Sequence, residues 1–281
     1  MRRRARVLLL GPYVLLLTVF FVAPLLLMLA ISFSRQSYGQ LDWAFTPQHY
    51  IHFFTDAYYL SVLADTLWLG VITTAVSLLL GYPLAYHLAL TRSRWKPLLI
   101  VFILSPLLVG IVIRCYGWMI LLADRGLINE TLVQRGWLSK PLPLMYNKFG
   151  VVIALVHVFL PFMVLSLTGV LKRIEPQLIE ASQTLGASPR RAFFEVTLPL
   201  SLPGILAGSL LVFSLAISSF VVPVLLGGFK VYVLPIIVYE QILSVFDWPF
   251  GAANALILLL ISLAIIAGYV KATERALRGL A

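Results

Sequence analysis

Apolar runs long enough to cross a bilayer alternate along the chain with short polar intervals. A spanning helix needs ~20 mostly apolar residues, and six segments of the sequence meet that length. No charge occurs from Val7 to Ser34, the next clean run is Thr66 to Thr91, and a third starts at Pro97, carries one charge at Arg114 and ends near Ala123. A fourth covers Phe149 to Leu171. The fifth lies inside the uncharged stretch Val196 to Phe229, from Pro203 to Leu226, and the sixth covers Trp248 to Val270. The pattern predicts an all-α integral membrane protein with six transmembrane helices. The basic leader "MRRRAR" precedes an apolar run longer than the ~7–15 residues of a signal peptide, and no clear small-x-small cleavage site follows, so the first helix is expected to be retained.

Composition strengthens this picture. Only 11% of the 281 residues are charged, 61% are hydrophobic and the mean hydropathy is +0.99, whereas a soluble domain carries about 25% charged residues. The net charge of +10 is not a nucleic-acid signal, because the basic residues flank the apolar runs, as they do on the cytoplasmic side of membrane spans. With both termini placed inside, 14 of the 21 Lys and Arg fall on cytoplasmic segments and 6 on outer ones, with Arg114 at membrane depth. The domains expected are an N-terminal transmembrane helix with its outer loop (1–62), a core (63–273) and a cytoplasmic tail (274–281).

The outer intervals are longer. In 35–60, Thr46 is expected to cap a short helix with Pro47 at its first position. Residues 124–148 are loop-like and rich in breakers, and 231–247 predict an outer helix against the bundle. The single cysteine, Cys115, forms no internal disulfide. His49 and His52 lie in a polar loop, His87 and His157 in apolar runs, and no Cys/His cluster has metal-ligand spacing. No Ser/His/Asp or Cys/His constellation points to covalent catalysis, and no GxxxxGK[ST] phosphate loop is present. The chain is therefore expected to have no catalytic residue, no metal and no cofactor of its own.

The interval between the fourth and fifth runs is patterned, "IEASQTLGASPRRAFFEVTLPLSLPG" from Ile179 to Gly204. Pro176 suits a first helical turn, and Leu178, Ile179, Ser182 and Leu185 recur at helical spacing. Gly186 supplies a stop, since glycine tolerates the left-handed conformation past a helix end. Ser188 caps a second helix with Pro189 at its first position. That helix carries Arg190, Arg191, Phe193, Phe194 and Glu195, and Leu198-Pro199 is expected to end it. The result is a cytoplasmic elbow exposing Phe and Leu. From the residues alone, it fits a groove in a partner or a bed of lipid headgroups equally well.

The spacing of Glu180-Ala181-Ser182, Gly186, Val196 and Leu198-Pro199 resembles the EAA motif of the membrane subunits of binding-protein-dependent ABC importers. The family pattern has a second Ala where this chain has Ser182 and Ile where it has Val196. The resemblance implies the type I ABC importer permease fold, with coupling helices at about 176–199 seated on an ATPase. Glu180, Ala181, Ser182, Gly186, Ser188, Arg190, Arg191, Phe193, Leu198 and Pro199 are the implied ATPase-coupling residues. Further stretches resemble the polyamine branch: "GYPLAYHLA" (81–89), "IRCYGWMILLADRGLIN" (113–129), "LPFMV" (160–164), "FVVPVLLGG" (220–228) and "DWPFGAA" (247–253). With "TPQHYIHFFTDAYYLSVLADTL" (46–67), nearly the whole chain is covered. The implied machine sits in the bacterial inner (cytoplasmic) membrane. Its expected partners are a second homologous permease chain, two copies of an ABC ATPase carrying ATP and Mg, an extracytoplasmic solute-binding protein and membrane lipid, with no nucleic acid.

A polyamine requires carboxylates for its ammonium groups and aromatic faces for cation–π contact. Candidates for the solute path are Asp65, Trp68, Arg114, Tyr116, Trp118, Tyr239, Glu240, Asp247 and Trp248. Each acid is alternatively a solvated helix end or a partner for Arg114. Charge at membrane depth is expensive and often functional; Arg114 is a gate residue, a structural ion pair, or an arginine reaching for the interface. Trp and Tyr also collect at interfaces whatever the function, as Trp95 does beside Arg94 and Lys96. Rival readings are the same machine carrying an aminophosphonate, thiamine or an amino-acid derivative, a standalone secondary transporter or channel, or a structural anchor.

Overall fold

The computed structural model describes residues 11–37 and 40–278, with side chains described for 11–36 and 40–271. Arg2, Arg3, Arg4 and Arg6 of the basic leader lie outside the described residues, as do the side chains of Arg275 and Arg278. In chain order the elements are α1 (Gly11–Ser32), β1 (Arg35–Ser37), β2 (Gln40–Asp42), α2 (Gln48–Thr55), α3 (Ala57–Leu90), α4 (Lys96–Leu108), α5 (Ile111–Leu122) and α6 (Leu127–Gln134). They continue with α7 (Lys148–Leu171), α8 (Pro176–Thr184), α9 (Pro189–Ile217), a π turn (Pro223–Gly227), α10 (Leu234–Leu243) and α11 (Trp248–Arg278). The protein is mostly helical, with one small hairpin.

Five of the described helices are long and apolar enough to cross a membrane: α1, α3, α7, α9 and, over Trp248–Lys271, α11. One further apolar segment is bent, by 100° between α4 and the segment Ile111–Gln134. The third apolar run is therefore not the single helix its length suggests. Pro106 lies in the last turn of α4, and Val109 (φ −98°, ψ 131°) and Gly110 (φ −56°, ψ 142°) are non-helical. A proline withholds one backbone donor, and glycine is a poor helix former, so the chain turns here. Pro83 and Pro161, by contrast, sit inside continuous helices.

The chain divides into two compact units. One comprises residues up to Leu63 together with Leu234–Ile265. Its centre is aromatic: Phe53 is fully buried, Tyr59 meets Phe250 edge-on at 5.0 Å, and His52 lies 5.2 Å from the same ring. Gln36 bridges distant segments, donating to the Phe246 carbonyl at 2.6 Å and accepting from the Trp248 amide at 3.1 Å. The hairpin β1–β2 pairs Arg35 with Asp42, a feature with no alternating run to announce it. Thr46 is buried, and its Oγ1 accepts the Gln48 amide at 3.3 Å. The helix begins one residue later than expected: Pro47 takes the cap position, not the first helical one, and Thr46 braces the turn from one residue before it.

The second unit comprises Ala64–Val233 and the chain from Ile266 onward. α7 forms its axis, with Val151, Ala154, Leu155, Met163, Val164 and Leu167 all excluded from solvent. α7 packs most extensively on α9. The approach is close because it is made by glycines, as membrane helices require where no hydrophobic effect draws them together. A Cβ on Gly208 would lie 2.7 Å from Met163 Sδ, and one on Gly204 would lie 3.0 Å from Val170 Cβ. Gly70 brings α3 equally near, since its Cβ would meet Ile217 Cγ2 at 2.5 Å. Within 124–148, where the breakers suggested loop, α6 forms, and buried Asn129 ties the connection down. Its Nδ2 donates to the Ala123 and Leu142 carbonyls at 3.1 and 3.0 Å, and its Oδ1 accepts the Leu142 amide at 2.8 Å.

Candidate functional site

The elbow forms from the residues that predict it. α8 starts at Pro176, and the chain leaves it through Gly186 at φ 94°, a conformation that costs a β-carbon-bearing residue roughly 1–2 kcal/mol. Ser188 then accepts the Arg191 amide on its Oγ at 3.3 Å, satisfying one of the free donors at the start of α9. Within α8, Ser182 Oγ donates to the Ile179 carbonyl at 2.7 Å. Glu180, Ala181, Arg190 and Arg191 are exposed, and Leu185 and Phe194 are 90% and 64% exposed. Arg191 Nε pairs with Glu195 at 2.8 Å across one turn.

Leu198-Pro199 does not end the second helix. Phe193–Thr197 widen into a π turn, in which the Leu198 amide donates to the Phe193 carbonyl, and the helix runs on to Ile217. Pro199, the second residue after that turn, needs no donor because the widened turn has shifted the hydrogen-bond register. The elbow is thus continuous with a membrane helix, and Pro203 lies inside that helix instead of opening a new one. The fifth apolar run accordingly reaches from Pro189 to Ile217 as helix, not from Pro203 to Leu226. Phe193 anchors it to α3, meeting Tyr82 at 5.8 Å and Tyr86 at 5.5 Å, both edge-on. Tyr82 OH also hydrogen-bonds Ser201 Oγ at 2.9 Å.

The candidate path residues divide between the two units. In the second, Asp65 and Trp68 lie one turn apart on α3. Lys148 Nζ sits 2.5 Å from Asp65 Oδ1 and 5.6 Å from the Trp68 ring centroid. Asp65 therefore pairs with Lys148 and not with Arg114. Nothing local marks Lys148 in the sequence, since it lies 83 residues from its partner. Among the described residues, Arg114 Nε and Nη1 are buried without a hydrogen-bond partner, and the ion pairs are Lys148–Asp65 and Arg191–Glu195. Trp118 Nε1 donates to His157 Nδ1 at 3.2 Å, which makes His157 the Nε2–H tautomer. Tyr116 is exposed.

In the first unit, Asp247 Oδ1 accepts the Phe250 amide at 3.1 Å, the position of a helix cap for α11. Trp248 lines an apolar cavity of about 240 Å³ with Leu27, Met28, Ile31 and Ile242. Tyr239 is 46% exposed, and the Glu240 carbonyl accepts the Ser244 and Val245 amides that close α10.

Apolar helices long enough to cross a membrane, interrupted by one polar, exposed elbow capped by Ser188, define a multi-pass membrane protein. The chain belongs to the family described as binding-protein-dependent transport system inner membrane component, whose profile matches residues 77–278. It is 36% identical over 259 residues to the spermidine/putrescine transport system permease protein PotB of Haemophilus influenzae, covering 91% of this chain and 90% of that protein. It is 32% identical over 222 residues to the inner membrane ABC transporter permease protein YdcU of Escherichia coli, covering 75% and 70%. Its fold matches a crystallised bacterial ABC transporter involved in the import of the acidic polysaccharide alginate, with a TM-score of 0.78 at 18% identity over 98% of this chain and 96% of that one. The chain is thus an inner-membrane permease subunit of an ABC importer and not an enzyme.

Proposed function

We propose that this permease subunit forms half of the path by which a polyamine such as spermidine or putrescine enters the cell. The observation that carries the reading is the 36% identity to a spermidine/putrescine permease over nine tenths of both chains. A carboxylate and an indole face one turn apart, Asp65 and Trp68, add the chemistry a primary ammonium group needs.

In this reading the chain crosses the membrane six times with both termini in the cytoplasm, the bent pair α4–α5 acting as one interrupted crossing. Residues 1–62 are the N-terminal helix and outer loop, 63–273 the permease core and 274–281 a cytoplasmic tail. A second related permease chain completes the path, two ATPase copies bind ATP and Mg below it, and a solute-binding protein delivers from above. Closure of the ATPase pair pushes the elbow, with Glu180, Ala181, Ser182, Arg190 and Arg191 at the contact, and α9 carries the movement into the membrane. A loaded binding protein favours the outward state through its higher affinity for it.

The test is uptake in proteoliposomes containing the whole importer and its binding protein. Labelled putrescine and spermidine should enter only with ATP inside. Uptake of 2-aminoethylphosphonate or thiamine in place of either polyamine would reassign the solute, and uptake without ATP would overturn the ABC mechanism.

A further inference from the structure

Asp65 and Trp68 are already occupied by an ammonium group, that of Lys148. We propose that Lys148 is a tethered stand-in for the solute: it holds a primary-ammonium subsite, and an amine of the solute displaces it on arrival. The identity of that solute rests on the polyamine reading; the subsite itself rests on its geometry.

Lys148 Nζ is 2.5 Å from Asp65 Oδ1 and 5.6 Å from the Trp68 centroid. A carboxylate and a tryptophan face together are the contacts that recognise a primary ammonium, and both are satisfied by one charge. The side chains of Lys148 and Asp65 are 43% and 36% exposed, and Trp68 is 45% exposed, so this chain does not seal the pair in. Such exposed ion pairs contribute little to stability, which makes a purely structural purpose a poor explanation for it.

Lys148 is also placed where a cation is least at home. It is the first residue of α7, with Asn147 accepting the Gly150 amide at 2.9 Å as the cap, and the positive end of the helix dipole disfavours an ammonium there. Asp65 offsets that cost, and when a solute amine takes the carboxylate, the dipole favours withdrawal of the lysine. The subsite lies at the end of α7 remote from the elbow, about 36 Å away along a helix of 24 residues. The resting path thus keeps its carboxylate neutralised, which discourages occupation by stray inorganic cations while leaving it open to a diamine that can supply the same contacts.

The experiment is equilibrium binding of labelled putrescine to the complete membrane complex in nanodiscs, without binding protein, for the wild type, Lys148→Met, Asp65→Asn and the double variant. A tethered amine competes at an effective concentration of about 1 mM. Its removal in Lys148→Met should tighten putrescine binding about threefold or more. Asp65→Asn should weaken binding about tenfold, the loss of a charge-assisted contact, and adding Lys148→Met to Asp65→Asn should change nothing further. Co-purification of the ATPase shows that each variant is assembled. Equal affinities across assembled variants, or weaker binding in Lys148→Met, would overturn the subsite. Absence of polyamine uptake by the wild type in proteoliposomes would overturn the polyamine reading instead, and the ranking of the four affinities would still decide whether the subsite takes an ammonium.

Discussion

The amide of Arg191 donates to Ser188 Oγ at 3.3 Å, two residues after the chain has turned through Gly186 at φ 94°. The turn and the cap together set the direction in which the elbow leaves α8 and enters α9. Removing the cap should loosen this junction without unfolding the bundle. Ser188→Ala is expected to cost about 1 kcal/mol locally, read as faster amide exchange over 186–192, and Ser188→Asp should restore protection. Unchanged exchange in Ser188→Ala would show that the cap does not hold the elbow.

Phe193 connects the elbow to α3 through Tyr82 and Tyr86. It lies in the π turn, so its ring joins the widened turn of the elbow to α3. Phe193→Ala is expected to leave ATPase co-purification and basal ATP hydrolysis intact while reducing uptake about tenfold. Phe193→Tyr, which keeps the ring, should retain most of the uptake. Equal loss of hydrolysis and uptake would place Phe193 in docking instead of transmission.

Gly70 leaves no room for a side chain, because its Cβ would lie 2.5 Å from Ile217 Cγ2 and 2.9 Å from Phe213. Gly70→Val should therefore destabilise the α3–α9 contact by about 1–3 kcal/mol, lowering the thermal midpoint of the purified permease. Gly117, where a Cβ would meet nothing within 4 Å beyond its own helix turn, provides the control. Gly117→Ala should shift the midpoint far less.

Arg114 carries two buried nitrogens without a hydrogen-bond partner among the described residues. An unsatisfied buried donor costs about 1–3 kcal/mol, so Arg114→Met is expected to leave the thermal midpoint of the purified chain equal or higher. A structural ion pair would behave in the opposite way, with the midpoint falling by several degrees.

Much of the elbow was legible because its determinants are local: Pro176, Gly186, Ser188 and Pro189 each act within four residues. The membrane helices were legible as apolar runs, but their ends were not. Pro199 suggested a stop that a π turn absorbs, and Val109-Gly110 broke a helix inside an unbroken apolar stretch, with Pro106 and Gly110 its local signals. Asp65 and Trp68 could be paired from one helix face, whereas Lys148 could not, since only the tertiary fold brings α7 against that turn of α3. The grouping of 234–265 with the first helix and its loop is likewise a tertiary fact that no periodicity encodes.

The central claim is that the bend at Gly186 seats the elbow on an ATPase. The most direct measurement is co-purification of the ATPase with the membrane-inserted Gly186→Val chain, beside Glu180→Lys and the wild type. A valine at φ 94° is strained, and Glu180→Lys reverses the exposed charge on α8. Both chains are predicted to insert and fold normally yet to retain at most about a tenth of the bound ATPase. Wild-type amounts of ATPase on the Gly186→Val chain would contradict the elbow as the coupling element.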